Sequence, residues 1–437
     1  MKILIIKNDG FGDLTMVIHM LNNIKFSYKS KIQIILSKGS EPLGEYLKHF
    51  DKLFLSRTGP QLKDNHKVFI SEGDKEIIQN IKKKNFDIAI SLRRYLNFEH
   101  VILMNSINSK EKYSCYQFIN SKNLSLYLKK FPLNDWSNIS IPKDKVNDLD
   151  YYEYFLKKIN LLDSSYKFNS FIKKLNFKKK GLILNLSGEK SFYKKENFKF
   201  LINNISYLFK DKITIIGKTF QQATDKKIKS ILKNINNQNI INLYDKVDFK
   251  KSIDLIKKNK IYIGFDTGLS HFAVNTKIKS LIILGSGPGF KWFPYPANKR
   301  FNETYWLYNT PCAGCNNSNV KEGCFFEKRI CVDNIFSNKL NITIHLKKFF
   351  SSPYQKITNF SNYNDFIPDW TMPSSKLKLH TITNDGRLIK IENILYFKYI
   401  VFFYKYVYFL VKNNLVIYLL SNIIFRFLNI FLRLVKN

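Results

Sequence analysis

Short apolar runs alternate with helical periodicity from the first residue, and no other feature of the chain constrains its fold as strongly. Lys2–Lys7 reads as a buried strand, followed by the turn Asn8-Asp9-Gly10-Phe11-Gly12 and a helix from Asp13 to about Asn23. Lys31–Ser37, Lys52–Ser56 and Asp87–Leu92 are further strands, with a helix over Lys75–Lys84. Between about Leu124 and Lys180 the pattern loosens around Pro132, Pro142 and a polar stretch. It then restarts with strands at Gly181–Leu186, Ile213–Gly217, Ile240–Tyr244, Ile261–Phe265 and Ser280–Gly285. The intervening helices are expected at Lys195–Phe209, Gln221–Lys233, Phe249–Lys258 and from Thr267. Strand–helix–strand repetition predicts parallel, doubly wound sheets of the α/β class. Two such series predict Rossmann-like domains at 1–170 and 171–350 facing a cleft, followed by a segment of different character at 351–437.

The length of 437 residues fits this division at about 150 residues per domain. With 45% hydrophobic residues, 38 Phe and 25 Tyr, the chain can bury a sizeable core and is not a disordered polypeptide. Its formal net charge is +37, but only eight of the 71 basic residues are Arg. Bidentate phosphate and nucleic-acid readers rely on Arg, so a Lys excess in a chain also rich in Asn and Ile reads as biased composition, with much of the charge compositional drift, plus attraction toward anionic surfaces, and no specific nucleic-acid partner is expected. Five Cys make no disulfide framework, which favours a reducing compartment. The apolar run Ile3–Ile6 is shorter than the roughly 7–15 residues of a secretory signal, so a cytoplasmic protein is expected.

The last segment begins with a hairpin signal, Asp385-Gly386 between two alternating runs in Leu377–Ile391. No acidic residue occurs from Tyr396 to Asn437. Lys398, Lys405 and Lys412 fall seven apart, and Arg426 and Arg433 continue that register among aromatic and aliphatic residues. The uncharged stretch Asn413–Phe425 is too short to span a bilayer, which takes about 20 apolar residues. The pattern predicts a basic amphipathic helical tail on an anionic membrane surface, the alternative being helices packed on the protein itself.

Ligands of open α/β sheets bind beyond the carboxyl ends of the strands. At the first such end, Gly10 and Gly12 allow a sharp turn and Asp13 offers a carboxylate, either as a general base or as an ordinary helix-start residue. After Ile261–Phe265 come Asp266, Thr267, Gly268, Leu269, Ser270 and His271, which either place amides and hydroxyls at a helix N-terminus where a phosphate is favoured or supply only a helix cap in Asp266 and a core histidine in His271. Ser187, Gly188 and Lys190, with Lys194 and Lys195 close behind, form a third candidate, and Gly285–Gly289 with Trp292 a fourth. Cys312-x2-Cys315-x8-Cys324-x6-Cys331 could hold a structural zinc, or be buried thiols.

Taken in order, KILIIKNDGFGDLTMVIHML, LILNLSGEK with FKFLINNI, ITIIG, YIGFDTGLSHFAVN and LIILGSGPG resemble the glycosyltransferases of family 9, the lipopolysaccharide heptosyltransferases and their relatives, over about residues 1–345. The resemblance implies the GT-B fold and an inverting, metal-independent transfer from a nucleotide sugar. It implies Asp13 as general base on the acceptor hydroxyl, with Gly10 and Gly12 in the acceptor-side loop. Asp266, Thr267, Gly268, Leu269 and His271 match the segment that holds the donor, and Ser187 and Gly188 match its phosphate-side turn. The family's basic residue there corresponds to Lys190 across a gap, or to Lys194 or Lys195. Gln221 or Gln222 stands where the family often has an acidic residue, which bears on ribose contacts. The expected reaction is transfer of a sugar, heptose from ADP-heptose, onto a lipopolysaccharide-type glycolipid at the inner face of the cytoplasmic membrane. The rivals are a UDP- or GDP-hexose donor with the same mechanism, and a non-catalytic basic protein that binds membrane or nucleic acid.

Overall fold

In the computed structural model, the run Ile3–Ile6 is fully buried in strand β1 (Lys2–Lys7), which lies inside a parallel sheet. The structure describes residues 1–351 apart from 26–29, 56–60, 63–67, 70, 120–127, 130–131, 143–144, 146, 173–179, 188–194, 220–221, 285–290 and 308–338, together with 367–369, 378–382 and 388–391. The expected tail at 396–437 and all four Cys of the 312–331 cluster lie outside the described residues.

The chain divides into two compact units. The first comprises 1–180, 246–260 and 267–278. From β1 the chain runs into helix α1 (Phe11–Leu21), β2 (Lys31–Ser37), β3 (Asp51–Leu55), α2 (Glu72–Lys82) and β4 (Asn85–Ser91). It continues through α3 (Phe98–Asn105), β5 (Asn108–Ser114), β6 (Ser137–Asn138) and α4 (Asp148–Lys158). The sheet order is β6-β5-β4-β1-β2-β3, every pair parallel. The strand order reverses between β1 and β4, which makes their carboxyl ends the expected ligand crevice.

Helix α4 falls inside the stretch that the sequence pattern leaves unstructured. Asn147 caps it by accepting the Leu149 N–H at 3.0 Å, and Tyr151, Tyr152, Phe155 and Leu156 form one buried face. The prolines stop short of this helix, so the segment around them is irregular and the helix is not.

The second unit comprises 181–245, 261–266 and 279–437. Its elements begin with β7 (Leu182–Asn185), α5 (Lys195–Leu208), β8 (Ile213–Ile216), α6 (Gln222–Lys233) and β9 (Ile240–Asn242). Helix α7 (Phe249–Lys258) follows in the chain but belongs to the first unit; β10 (Ile261–Phe265) returns to the second. Helix α8 (Gly268–Asn275) again belongs to the first unit. The second unit closes with β11 (Lys279–Leu284), β12 (Glu303–Leu307), α9 (Lys339–Ser351) and an antiparallel set of β13 (Ile367–Asp369), β14 (Lys378–Ile382) and β15 (Leu388–Ile391). Strands β14 and β15 pair through Ile382 and Leu388, as the hairpin signal predicts, with the Asp385-Gly386 turn outside the described residues.

The second large sheet has the order β9-β8-β7-β10-β11-β12, again all parallel, with its reversal between β7 and β10. Strand β12 extends it beyond the last strand expected from the sequence. Leu184, Ile215, Ile263 and Ile283 fill the core on which Phe198, Leu201 and Ile205 of α5 pack. Two parallel sheets of Rossmann type with covering helices are the GT-B plan that the resemblance implies.

Candidate functional site

Beyond β1 the backbone turns at Gly10 into α1, so Asp13 is the third residue of that helix rather than its opening one. Asp13 Oδ2 accepts the Gly10 N–H at 3.1 Å, which fixes the half-buried carboxylate against the turn. The next turn of α1 is held by the Thr15 hydroxyl on the Phe11 carbonyl at 2.8 Å. Phe11, Leu14, Met16, Val17, Ile18, Met20 and Leu21 are buried, so the helix start is anchored by nearly its whole length.

Helix α8 packs on α1 within the first unit. A methyl group on Gly12 would meet Gly268 Cα at 3.2 Å and His271 Cδ2 at 3.0 Å. A methyl on Gly268 would meet Phe11 Cδ1 at 2.8 Å and the Gly12 nitrogen at 3.1 Å. Both positions are glycine because two backbones touch here. The contact brings together three predicted residues, Gly12, Gly268 and His271, beside the helix turn that carries Asp13.

The first turn of α8 is the predicted phosphate-binding terminus. Thr267 is its N-cap, with no side-chain cap bond and with its hydroxyl 3.3 Å from that of Ser270. Amides in the first turn of a helix have no partner inside the helix and point along the positive end of its dipole. Leu269 and His271 are buried. Burial pushes the His271 pKa down to about 3, so its ring is neutral at physiological pH and supplies shape and a ring N–H rather than charge.

Asp266 directly follows β10 in the second unit and is partly exposed. Ser187 follows β7 in the same unit, donating its N–H to Asn185 Oδ1 at 2.9 Å and accepting the Lys218 N–H at 3.3 Å. Asn185 in turn donates to the Tyr262 hydroxyl at 2.7 Å, tying β7 to β10 at the reversal point. Gly188, Lys190, Lys194, Gln221 and Gly285–Gly289 lie outside the described residues, as does the side chain of Lys195, whereas Gln222 is exposed at the start of α6 and Trp292 is half-buried beneath the Lys291 ammonium. Among the described residues no group of three metal-ligating side chains occurs, and no helix is long and apolar enough to cross a membrane.

Sequence reasoning missed a polar cluster at the carboxyl ends of β1 and β4. Lys7 is fully buried, 2.8 Å from Asp9, 3.2 Å from the Tyr152 hydroxyl and 4.3 Å above the Tyr152 ring. Asn8 Oδ1 accepts from Arg93 at 3.2 Å and from His100 Nδ1 at 2.9 Å, leaving His100 Nε2 to accept from the Ser91 hydroxyl at 2.6 Å. Burial first, and then Arg93 and Lys7, hold the His100 pKa well below the ordinary range, consistent with this neutral tautomer. Arg94 pairs with buried Asp148 at 3.0 Å. Three cations, Lys7, Arg93 and Arg94, meet the carboxylates Asp9 and Asp148 at this edge, and Asp13 lies close enough to act on Tyr152 as well. The available signal was an Arg-Arg pair just after a strand in a chain with only eight arginines.

The family model described as glycosyltransferase family 9 (heptosyltransferase) matches residues 168–322, a segment that includes Ser187 and the Asp266–His271 stretch. Among solved structures, a family 9 glycosyltransferase from Veillonella parvula DSM 2008 is similar at 14% identity and a TM-score of 0.52, covering 70% of this chain and 85% of that one. The E. coli heptosyltransferase WaaC, solved with ADP-2-deoxy-2-fluoro heptose, is similar at 14% identity and a TM-score of 0.51, covering 73% of this chain and 96% of that one. At these identities the two structures establish the shared fold. No curated protein sequence matches the chain.

Two outcomes follow from this geometry. Gly268→Ala should lower the unfolding free energy of the first unit by about 1–3 kcal/mol, because two backbones must separate to admit the methyl; an unchanged urea midpoint would contradict the contact. Unfolded His271 binds a proton below its ordinary pKa of 6.5 whereas the folded ring resists protonation down to about 3. Stability should therefore be complete above pH 6.5 and decline as pH falls through that window, and His271→Leu should flatten the slope measured by denaturation at stepped pH.

Proposed function

With residues 168–322 a glycosyltransferase family 9 segment, we propose that the chain transfers a sugar from a nucleoside-diphosphate donor to a hydroxyl of a glycolipid, with inversion at the anomeric carbon. The observation that carries this reading is the touching of Gly12 and Gly268, which sets the turn bearing Asp13 beside the amide-rich start of α8. Asp13 takes the proton of the acceptor hydroxyl as its oxygen bonds to the anomeric carbon. The bond from that carbon to the diphosphate breaks on the opposite face, and the departing diphosphate carries the electron pair. Its negative charge develops at the N-terminus of α8, where the Gly268 and Leu269 amides and the Thr267 and Ser270 hydroxyls stabilise it without reorganising. The resemblance adds Asp266, Ser187, Gly188 and Lys190 to the donor contacts.

The donor we favour is ADP-heptose, the class to which the WaaC ligand belongs, and the acceptor a lipopolysaccharide-type saccharide. The net charge of +37 and the basic register of 398–433 favour work at the anionic inner face of the cytoplasmic membrane. A UDP- or GDP-hexose donor would use the same residues, and Gln221 and Gln222 are where the donors would be told apart.

Asp13→Asn keeps the side-chain volume and the oxygen that caps Gly10, but cannot accept the acceptor proton. It should reduce kcat by about 10²–10⁴-fold while leaving the thermal stabilisation by ADP intact. Near-normal turnover in this variant would remove Asp13 as the base. Stabilisation by UDP or GDP in place of ADP would replace the donor and leave the mechanism standing.

A further inference from the structure

At the amino-terminal edge of the second sheet, opposite the edge that carries Ser187, a cavity of about 540 Å³ opens between the last turns of α5 and α6 and the start of β9. Ile231 forms a buried apolar floor. Tyr207 stands at the wall with 69% of its surface exposed, and the Lys210 ammonium lies 5.0 Å from the centre of its ring. Asn203, Asn234 and Asn236 line the remaining wall, and their side-chain amides make no hydrogen bond among the described residues. The lining contains two ammonium groups, Lys199 and Lys210, and no carboxylate.

Each of these features matches part of a sugar. The face of an exposed tyrosine packs on the C–H face of a pyranose and keeps little rotamer freedom to lose. An asparagine amide offers a donor and an acceptor side by side, as neighbouring hydroxyls require. The Lys210 ammonium lies over one face of the Tyr207 ring, leaving the other face for the sugar, and without a carboxylate in the lining it selects a negative charge on the ligand. The volume accommodates one or two sugar rings within the range of small-molecule sites. We infer that this cavity binds a carboxylate-bearing pyranose, either free or as one unit of an acidic glycan. The site is separate from the transfer centre and does not depend on the reading given above for it.

The test is a calorimetric and saturation-transfer NMR titration of the full chain with galacturonic acid, trigalacturonate, galactose, AMP and inorganic phosphate. Galacturonic acid should bind with a millimolar Kd, and galactose at least about threefold more weakly because it lacks the charge. Tyr207→Ala should weaken galacturonic acid about tenfold. Lys210→Gln, a second exposed position, should erase the preference over galactose. Tighter binding of trigalacturonate assigns the natural ligand to a glycan, and equal binding per ring assigns it to the free sugar. Circular dichroism checks that both variants fold, and Asp13→Asn should bind galacturonic acid as the wild type does. Failure of galacturonic acid to bind, identical affinity in wild type and Tyr207→Ala, full displacement by phosphate, or tighter Tyr207-dependent binding of AMP would each overturn the assignment.

Discussion

Everything proposed for the reaction depends on one backbone contact, the approach of Gly12 to Gly268. Two helices can lie this close only where neither carries a Cβ at the crossing, and here the crossing falls at the first turn of both. First turns are where unpaired amides and the positive end of the dipole reside. A carboxylate fixed on one first turn and the first-turn amides of the other are thus brought side by side by packing alone. The neutral, buried His271 contributes to that packing against Gly12, and its burial keeps additional charge out of the contact.

A second constraint is electrostatic. A fully buried lysine at the end of β1 is tolerated only because Asp9, the Tyr152 hydroxyl and the Tyr152 ring receive its charge. The hydrogen-bond chain from Arg93 through Asn8 and His100 to Ser91 ties β1 to β4 at the reversal point of the first sheet. Such a network holds the loop before Asp13 in one conformation at the carboxyl ends of the strands, where ligands of this architecture bind.

The sheets were legible because their strands are apolar runs bounded by turns, and β1, β2 and β10 fall within the expected limits. The helix start after β10 was legible because a turn signal directly follows a buried strand, whereas the packing of its Gly268 and buried His271 against Gly12 was not. Helix α4 was not, since its buried aromatic face Tyr151, Tyr152 and Phe155 lies in a lysine-rich stretch just after Pro132 and Pro142, whose irregularity masked it. The Lys7 and Arg93 cluster was hidden by composition: among 71 basic residues nothing local marks Lys7 as buried, because its partners Tyr152 and Asp9 meet it only in the folded sheet. The grouping of α8 with the first unit was invisible for the same reason, as it follows from glycines 256 positions apart.

The central claim is that donor binding at the start of α8 is felt at the turn that carries Asp13. Hydrogen exchange read by mass spectrometry, with and without saturating ADP, tests it most directly. The account predicts slowed exchange in both 267–276 and 10–15, because the two first turns share one contact. Slowed exchange confined to 267–276, with 10–15 unchanged, would contradict it.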